Sequence, residues 1–141
     1  MQHILALCIG NICRSPLAEA MLAREFPDKK VWSAGLGALV GEPADPLSVA
    51  LASEQGLDLS RHRARQVNGL MCQRADLILV MEHRQRVELE RRYPQVRGKV
   101  FKLSELDIDD PFRLARPAFE TAYADIARGV SDWAMRIRQL E

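Results

Sequence analysis

No long apolar run exists in this chain: the longest uninterrupted stretch, Ile4 to Ile9, has six residues, against roughly 20 needed to cross a bilayer. Membrane insertion is therefore excluded from the reading. Charge of one sign is also missing. Lys and Arg number 20 and Asp and Glu 19, leaving +1, so no global field points to nucleic acid or to an anionic membrane surface. Cysteine is scarce, and Cys8, Cys13 and Cys72 form an odd set without a C-x-x-C pair. No disulfide framework is expected, and the thiols should be reduced. The opening Met1-Gln2-His3 has none of the charge, apolar length or cleavage features of a secretory signal, which implies a cytoplasmic protein. No repeat, low-complexity tract or Pro/Ser/Gly linker divides the 141 residues. One domain, 1–141, acting as a monomer, is expected. At 48% hydrophobic and 28% charged residues, the composition is that of a globular chain rather than a fibrous or disordered one.

What is present is an alternation of element types. Ile4–Leu7 reads as a short buried strand, and Pro16–Phe26 carries Leu17, Met21 and Leu22 at helical spacing. Val31–Ala34 is a second strand, followed by a Gly-rich turn and a helix over Pro46–Gln55 that ends at Gly56. Leu77–Met81 has the continuous apolar character of a strand covered on both faces, and Glu82–Tyr93 follows as an amphipathic helix closed by Pro94. Val100–Leu103 is a fourth strand. After an acidic loop over Ser104–Pro117, the last helix places Phe119, Ala122, Tyr123, Ile126, Val130, Trp133 and Ile137 at three- and four-residue steps. Strands separated by helices imply right-handed crossovers and an α/β fold: a three-layer sandwich with a central four-stranded parallel sheet, doubly wound in the flavodoxin-like manner.

In such a sheet ligands bind beyond the carboxyl ends of the strands, so the loop after the first strand carries the first expectation. It reads Cys8-Ile9-Gly10-Asn11-Ile12-Cys13-Arg14-Ser15-Pro16. The main-chain N–H groups of Ile9 to Ser15 could cradle a phosphate at a helix N-terminus, with Gly10 allowing close approach and Arg14 forking onto two oxygens. Arg makes up 16 of the 20 basic residues, and Arg is the side chain suited to such a bidentate grip. The same positive field would hold Cys8 as a thiolate nucleophile. Composition alone yields a C-x5-R spacing roughly one time in three. The context is what makes it specific: the Cys closes an apolar strand, and Ser15 and Pro16 stand where a helix would begin. Ser15 could cap that helix, bond the thiolate, or alternate between the two.

Cleaving a phosphate ester with a poor leaving group also needs an acid to protonate the departing oxygen. Two Asp-Pro pairs are candidates. Asp45 precedes a helix and reads as an N-cap, whereas Asp110 lies in a long acidic loop, so the residues favour Asp110. Asp107 and Asp109 read as solvated loop charges. The glycines Gly35, Gly37 and Gly41 miss the dinucleotide fingerprint by one residue. The cysteines with His3, His62 and His83 contain no ligand pair at zinc spacing.

The loop C-I-G-N-I-C-R-S-P resembles, nearly letter for letter, the phosphate-binding loop of the low-molecular-weight protein tyrosine phosphatases. Ser33-Ala34-Gly35, Ala44-Asp45-Pro46, His62-Arg63-Ala64-Arg65-Gln66-Val67 and Asp110-Pro111 stand in that family's order, and S-A-G-L-G-A-L-V-G from Ser33 resembles its bacterial exopolysaccharide- and capsule-associated branch. The resemblance implies hydrolysis of protein phosphotyrosine through a phosphocysteine, without metal or cofactor. Cys8 would be the nucleophile, Arg14 the phosphate grip and Asp110 the acid. It implies further that Asn11 and His62 pair to support the loop, that Ser15 steadies the thiolate, and that Leu39 and Phe112 line the phenol slot. Cys13 would be the redox partner of the nucleophile, and the substrate a bacterial tyrosine kinase. Phe112 departs from the family's Tyr at that place, keeping the ring and losing the hydroxyl. Two other readings share the loop. A thiol-dependent arsenate reductase would need two further cysteines where only Cys72 remains, and a phosphoprotein-binding module would not need Cys8 or Asp110.

Overall fold

The computed structural model describes residues 1–141. Its strands are β1 (His3–Cys8), β2 (Lys30–Gly35), β3 (Leu77–Val80) and β4 (Val100–Lys102), and its helices are α1 (Arg14–Glu25), α2 (Pro46–Glu54), α3 (Gly69–Arg74), α4 (His83–Arg92) and α5 (Arg116–Leu140). The four strands form one parallel sheet in the order β2-β1-β3-β4. This is the expected doubly wound architecture, and it puts β1 and β3 in the middle.

Alternation along the central strands sorts the core into two layers, because successive side chains leave opposite faces. Ile4, Ala6, Leu77 and Leu79 pack with Leu17, Met21 and Leu22 of α1 and with Ile126, Val130 and Ile137 of α5. Leu5, Leu7, Ile78 and Val80 face the other way, against Cys72 of α3, Leu89 of α4 and Val96. Both sets are almost wholly removed from solvent, and each buried Leu or Ile contributes about 1.5–3 kcal/mol of transfer free energy. That double burial is why Leu77–Val80 reads as an unbroken apolar run.

Boundaries shift by one or two residues from the sequence reading, with two exceptions of substance. The first helix begins at Arg14 rather than Pro16, so Arg14 and Ser15 belong to its first turn. The short α3 was not anticipated; Asn68 opens it by accepting from the Met71 N–H at 2.9 Å. Asp45 caps α2 as expected, accepting from the Leu47 N–H at 3.0 Å with Pro46 in the first turn. Gly35 ends β2 where a Cβ would stand 2.3 Å from the Ile9 carbonyl oxygen, so only glycine lets the loop after β1 lie against the sheet edge.

Candidate active site

The order of the strands reverses between β1 and β3, and the crevice at their carboxyl ends is the place such sheets offer a ligand. The loop from Cys8 to Cys13 fills it with its carbonyls turned outward. The Cys8, Ile9 and Gly10 oxygens each accept from a main-chain N–H of Leu36, Gly37 and Leu39 at 3.0 Å, and the Ile12 oxygen accepts from Asp45 at 2.9 Å. His62 Nε2 reaches the Asn11 carbonyl at 2.6 Å, and Ser48 Oγ donates to the Cys13 carbonyl at 3.2 Å. A carbonyl can only accept, so His62 carries its proton on Nε2. With every carbonyl anchored outside, the amides face inward. No main-chain N–H from Ile9 to Ser15 donates to another group of the protein. The glycine-rich segment after β2, which misses the dinucleotide pattern, is the wall that supplies three of the anchoring amides.

Asn11 is the pivot of the loop. It is fully buried with φ at 60°, a left-handed conformation that Asn tolerates better than most residues. Its Oδ1 accepts from the Arg65 N–H at 2.9 Å, and its Nδ2 donates to Ser15 Oγ at 2.8 Å and to Ser33 Oγ at 3.0 Å. Ser33 in turn donates to Glu19. The resemblance implied a pairing of Asn11 with His62, and it is made through the Asn11 main chain. Ser15 does not cap α1: Cys13 holds the N-cap position with no side-chain cap, and Ser15 Oγ lies 2.9 Å from Cys8 Sγ. Because Asn11 donates into Ser15 Oγ, the hydroxyl proton is available to the sulfur.

Arg14 is 1% exposed, yet it is only partly satisfied. Nη1 donates to Glu82 Oε2 at 2.7 Å and to the Ile108 carbonyl at 2.6 Å. Nε and Nη2 are the only buried side-chain nitrogens or oxygens in the molecule without a partner. Buried polar groups are rarely left so, and here they form one edge of a guanidinium whose other edge is pinned. An inward ring of amides and a free guanidinium edge can together hold a tetrahedral oxyanion above Cys8.

A cavity of about 130 Å3 opens over this loop, lined by Cys8, Gly10, Ile12, Leu39, Asp110 and Phe112 among others. Asp110 Oδ1 accepts from the Phe112 N–H at 3.1 Å, and Oδ2 stands 3.6 Å from Arg14 Nη2. The acid, the thiol and the two apolar walls are thus brought to one mouth. Asp45 stays in its cap. Asp107 has more than a solvated role, because the Lys102 ammonium and the His83 N–H hold its carboxyl below the usual range. Burial, reinforced by Asp45 and Asp110, pushes the Cys13 thiol far up, so Cys13 keeps its proton. Cys72 lies in the layer on the opposite side of the sheet from Cys8, and burial pushes its thiol up as well.

Sequence reasoning missed Glu82. It was assigned to the start of a helix, where its capping box with Gln85 does place it. The signal was available: an acid directly after an apolar central strand stands at the ligand crevice. Ser33 and Glu19 were missed as partners of the loop because their contact with Asn11 is long-range.

Residues 3–141 match the family model described as low molecular weight phosphotyrosine protein phosphatase. The chain is 52% identical over 143 residues to the probable low molecular weight protein-tyrosine-phosphatase EpsP of Ralstonia solanacearum, covering 99% of each. It is 45% identical over 139 residues to the low molecular weight protein-tyrosine-phosphatase Wzb of Escherichia coli K12, covering 96% of this chain and 95% of that one. Among solved structures, Wzb of Vibrio vulnificus in complex with benzylphosphonate superposes with a TM-score of 0.93 at 37% identity, covering 96% of this chain and 98% of that one. The tyrosine phosphatase Wzb of Escherichia coli K30 in complex with sulphate gives 0.93 at 36% identity with the same coverage. Fold, crevice and kinship agree, and the chain belongs to the low molecular weight protein tyrosine phosphatase family, as an enzyme of the EpsP and Wzb type.

Proposed function

We propose that the enzyme hydrolyses phosphotyrosine on proteins in two displacements at Cys8. In the first, the Cys8 thiolate attacks phosphorus in line, the bond to the phenolic oxygen breaks, and Asp110 gives that oxygen its proton. In the second, water attacks the phosphocysteine and Asp110 takes a proton from it. The sulfur–phosphorus bond breaks, and inorganic phosphate leaves with Cys8 restored. Charge on the equatorial oxygens is met by the amides of Ile9 to Ser15 and by Nε and Nη2 of Arg14. Ser15 Oγ donates to the sulfur while it is a thiolate, and Asn11 and His62 hold the loop in shape. Leu39 and Phe112 flank the phenol ring.

The single observation that carries this reading is the polarity of the loop that follows Cys8, its carbonyls anchored outward and its amides free, beside a buried guanidinium edge with no hydrogen-bond partner. The placement of Cys72 on the far side of the sheet weighs against a cysteine relay of the arsenate-reductase kind. The physiological substrate we infer is a tyrosine-phosphorylated bacterial kinase governing exopolysaccharide or capsule production, which rests on the resemblance of the segment from Ser33 to that branch. The test is turnover of p-nitrophenyl phosphate without metal or reductant. Cys8→Ser should abolish it while vanadate or phosphate still binds, and substantial residual turnover in that variant would remove Cys8 from the nucleophile's role.

A further inference from the structure

The turn that carries Phe112 is strained at its third residue. The Leu114 N–H donates to the Pro111 carbonyl at 2.9 Å, and Arg113, between them, has φ at 67°. A hydrogen-bonded turn with positive φ only at its third position is a type II turn, which places glycine or asparagine there because a Cβ is crowded in that conformation. This chain places arginine. Strain of this kind persists where the side chain has something to do.

Its surroundings say what. The guanidinium carbon lies 5.2 Å from the centroid of the Phe112 ring, and Phe112 is a wall of the cavity above Cys8. Arg113 is the only cation between Glu105 and Ala115, a stretch holding Glu105, Asp107, Asp109 and Asp110. It is exposed and pairs with none of them: Asp107 is taken by Lys102, and Asp110 faces Arg14. A guanidinium held over an aromatic face by the ring alone keeps N–H groups free for a carboxylate.

We propose that Arg113 is a specificity-determining residue that recognises an acidic side chain flanking the phosphotyrosine of the substrate. This extends the phosphatase reading and rests on it. With the phenol ring held between Leu39 and Phe112, a substrate that reaches Arg113 runs its backbone over the rim outside Phe112. Its neighbouring residues, one Cα step of 3.8 Å away, then come within reach of Arg113. The cation is fixed there by the turn and by the ring, so little side-chain freedom remains to be lost on pairing.

Two phosphotyrosine peptides that differ only in Glu or Gln on both sides of the tyrosine test this. Wild type should favour the Glu peptide in kcat/KM by about three- to fivefold, the size of a partly exposed ion pair, through KM rather than kcat, and the preference should shrink as salt is raised. R113G relieves the turn and removes the whole side chain, guanidinium included, and should bring the ratio close to one. R113K should keep part of the preference, and R113E should invert it. No preference in wild type, or an undiminished one in R113G, overturns the proposal while leaving the phosphatase intact. Inactivity of wild type on both peptides and on p-nitrophenyl phosphate overturns the phosphatase reading and this one with it.

Discussion

Replacing Glu82 with glutamine alters one atom and removes one charge from beneath the phosphate site. Arg14 is buried, and Glu82, with its side chain 11% exposed, is the carboxylate closest to it at 2.7 Å. The other acceptor on Nη1 is the neutral Ile108 carbonyl, and Asp110 lies farther off, 3.6 Å from Nη2. In the variant a salt bridge becomes a hydrogen bond from the guanidinium cation to a neutral amide oxygen. Losing the opposite charge while keeping the bond should cost about 1–2 kcal/mol, less than removing the partner altogether, which for a chain of this size lowers Tm by roughly 5 °C. Glu82→Ala, which removes the acceptor as well as the charge and leaves Arg14 only Asp110, at 3.6 Å, as an opposite charge, should cost about 3–5 kcal/mol. The functional loss follows from geometry: Nη1 keeps the Ile108 carbonyl but loses the charged one of its two anchors, the other edge of Arg14 is held less firmly, and kcat/KM for p-nitrophenyl phosphate should fall about tenfold to a hundredfold. Bound oxyanion supplies the missing negative charge, so vanadate or phosphate at saturation should recover part of the lost Tm. The assay is thermal unfolding of wild type and both variants with and without oxyanion, alongside steady-state kinetics. Wild-type Tm and wild-type kcat/KM in Glu82→Gln would refute the claim that this carboxylate positions Arg14.

Three further outcomes are expected. Asp110→Asn should slow aryl phosphates with poor leaving groups far more than those with good ones, and equal losses across a leaving-group series would count against Asp110 as the acid. Gly35→Ala should force the Ile9 carbonyl aside, since a Cβ would meet it at 2.3 Å. Chemical denaturation should show a loss of several kcal/mol, and oxyanion affinity should fall with it because the same carbonyl anchors the amide ring. The main-chain N–H groups of Gln2 and His3 hold the Asp76 carboxyl below its usual range. A carboxylate lowered on folding stabilises the protein above its unfolded pKa, and that contribution is lost as pH falls through the folded value. Asp76→Asn should therefore lower stability near neutral pH by about 1 kcal/mol or less, because the group is half exposed, and should flatten the acid limb of the stability curve below about pH 4.

The parts of this site that could be read from sequence are those whose cause is local. An apolar strand closed by Cys8, a loop holding Gly10 and Asn11, and a first-turn proline specify an amide cradle with no knowledge of its surroundings. The Asp45-Pro46 pair likewise declares a cap. The residues that escaped act across the sheet. Glu82 meets Arg14 over 68 positions, Ser33 meets Asn11 over 22, and the Ile108 carbonyl meets Arg14 over 94. The apolar strand before Glu82 puts it at the crevice, but nothing beside it in the sequence names a distant arginine as its partner, and it serves as helix cap and anchor both. Of the roles that sequence leaves open to Ser15, only the spatial structure selects the bond to sulfur over the cap, because the first turn carries no side-chain cap and the hydroxyl lies 2.9 Å from Cys8 Sγ. The helix over Gly69–Arg74 is too short to show a period. The strain at Arg113 is invisible in sequence because arginine is not the residue its turn type asks for.

Apart from the Arg14 edge, the donors left without a protein partner around Cys8 are peptide N–H groups, and a peptide N–H has no residue identity. Ile9 and Ile12 can therefore exchange their side chains for others of similar bulk without altering what those donors offer a ligand. The mouth can be reshaped for a different phosphorylated partner while the chemistry beneath it stays as it is. Freedom of that sort ends at Gly35, Asn11 and Arg14, where the skeleton of the ring depends on one particular side chain or on having none.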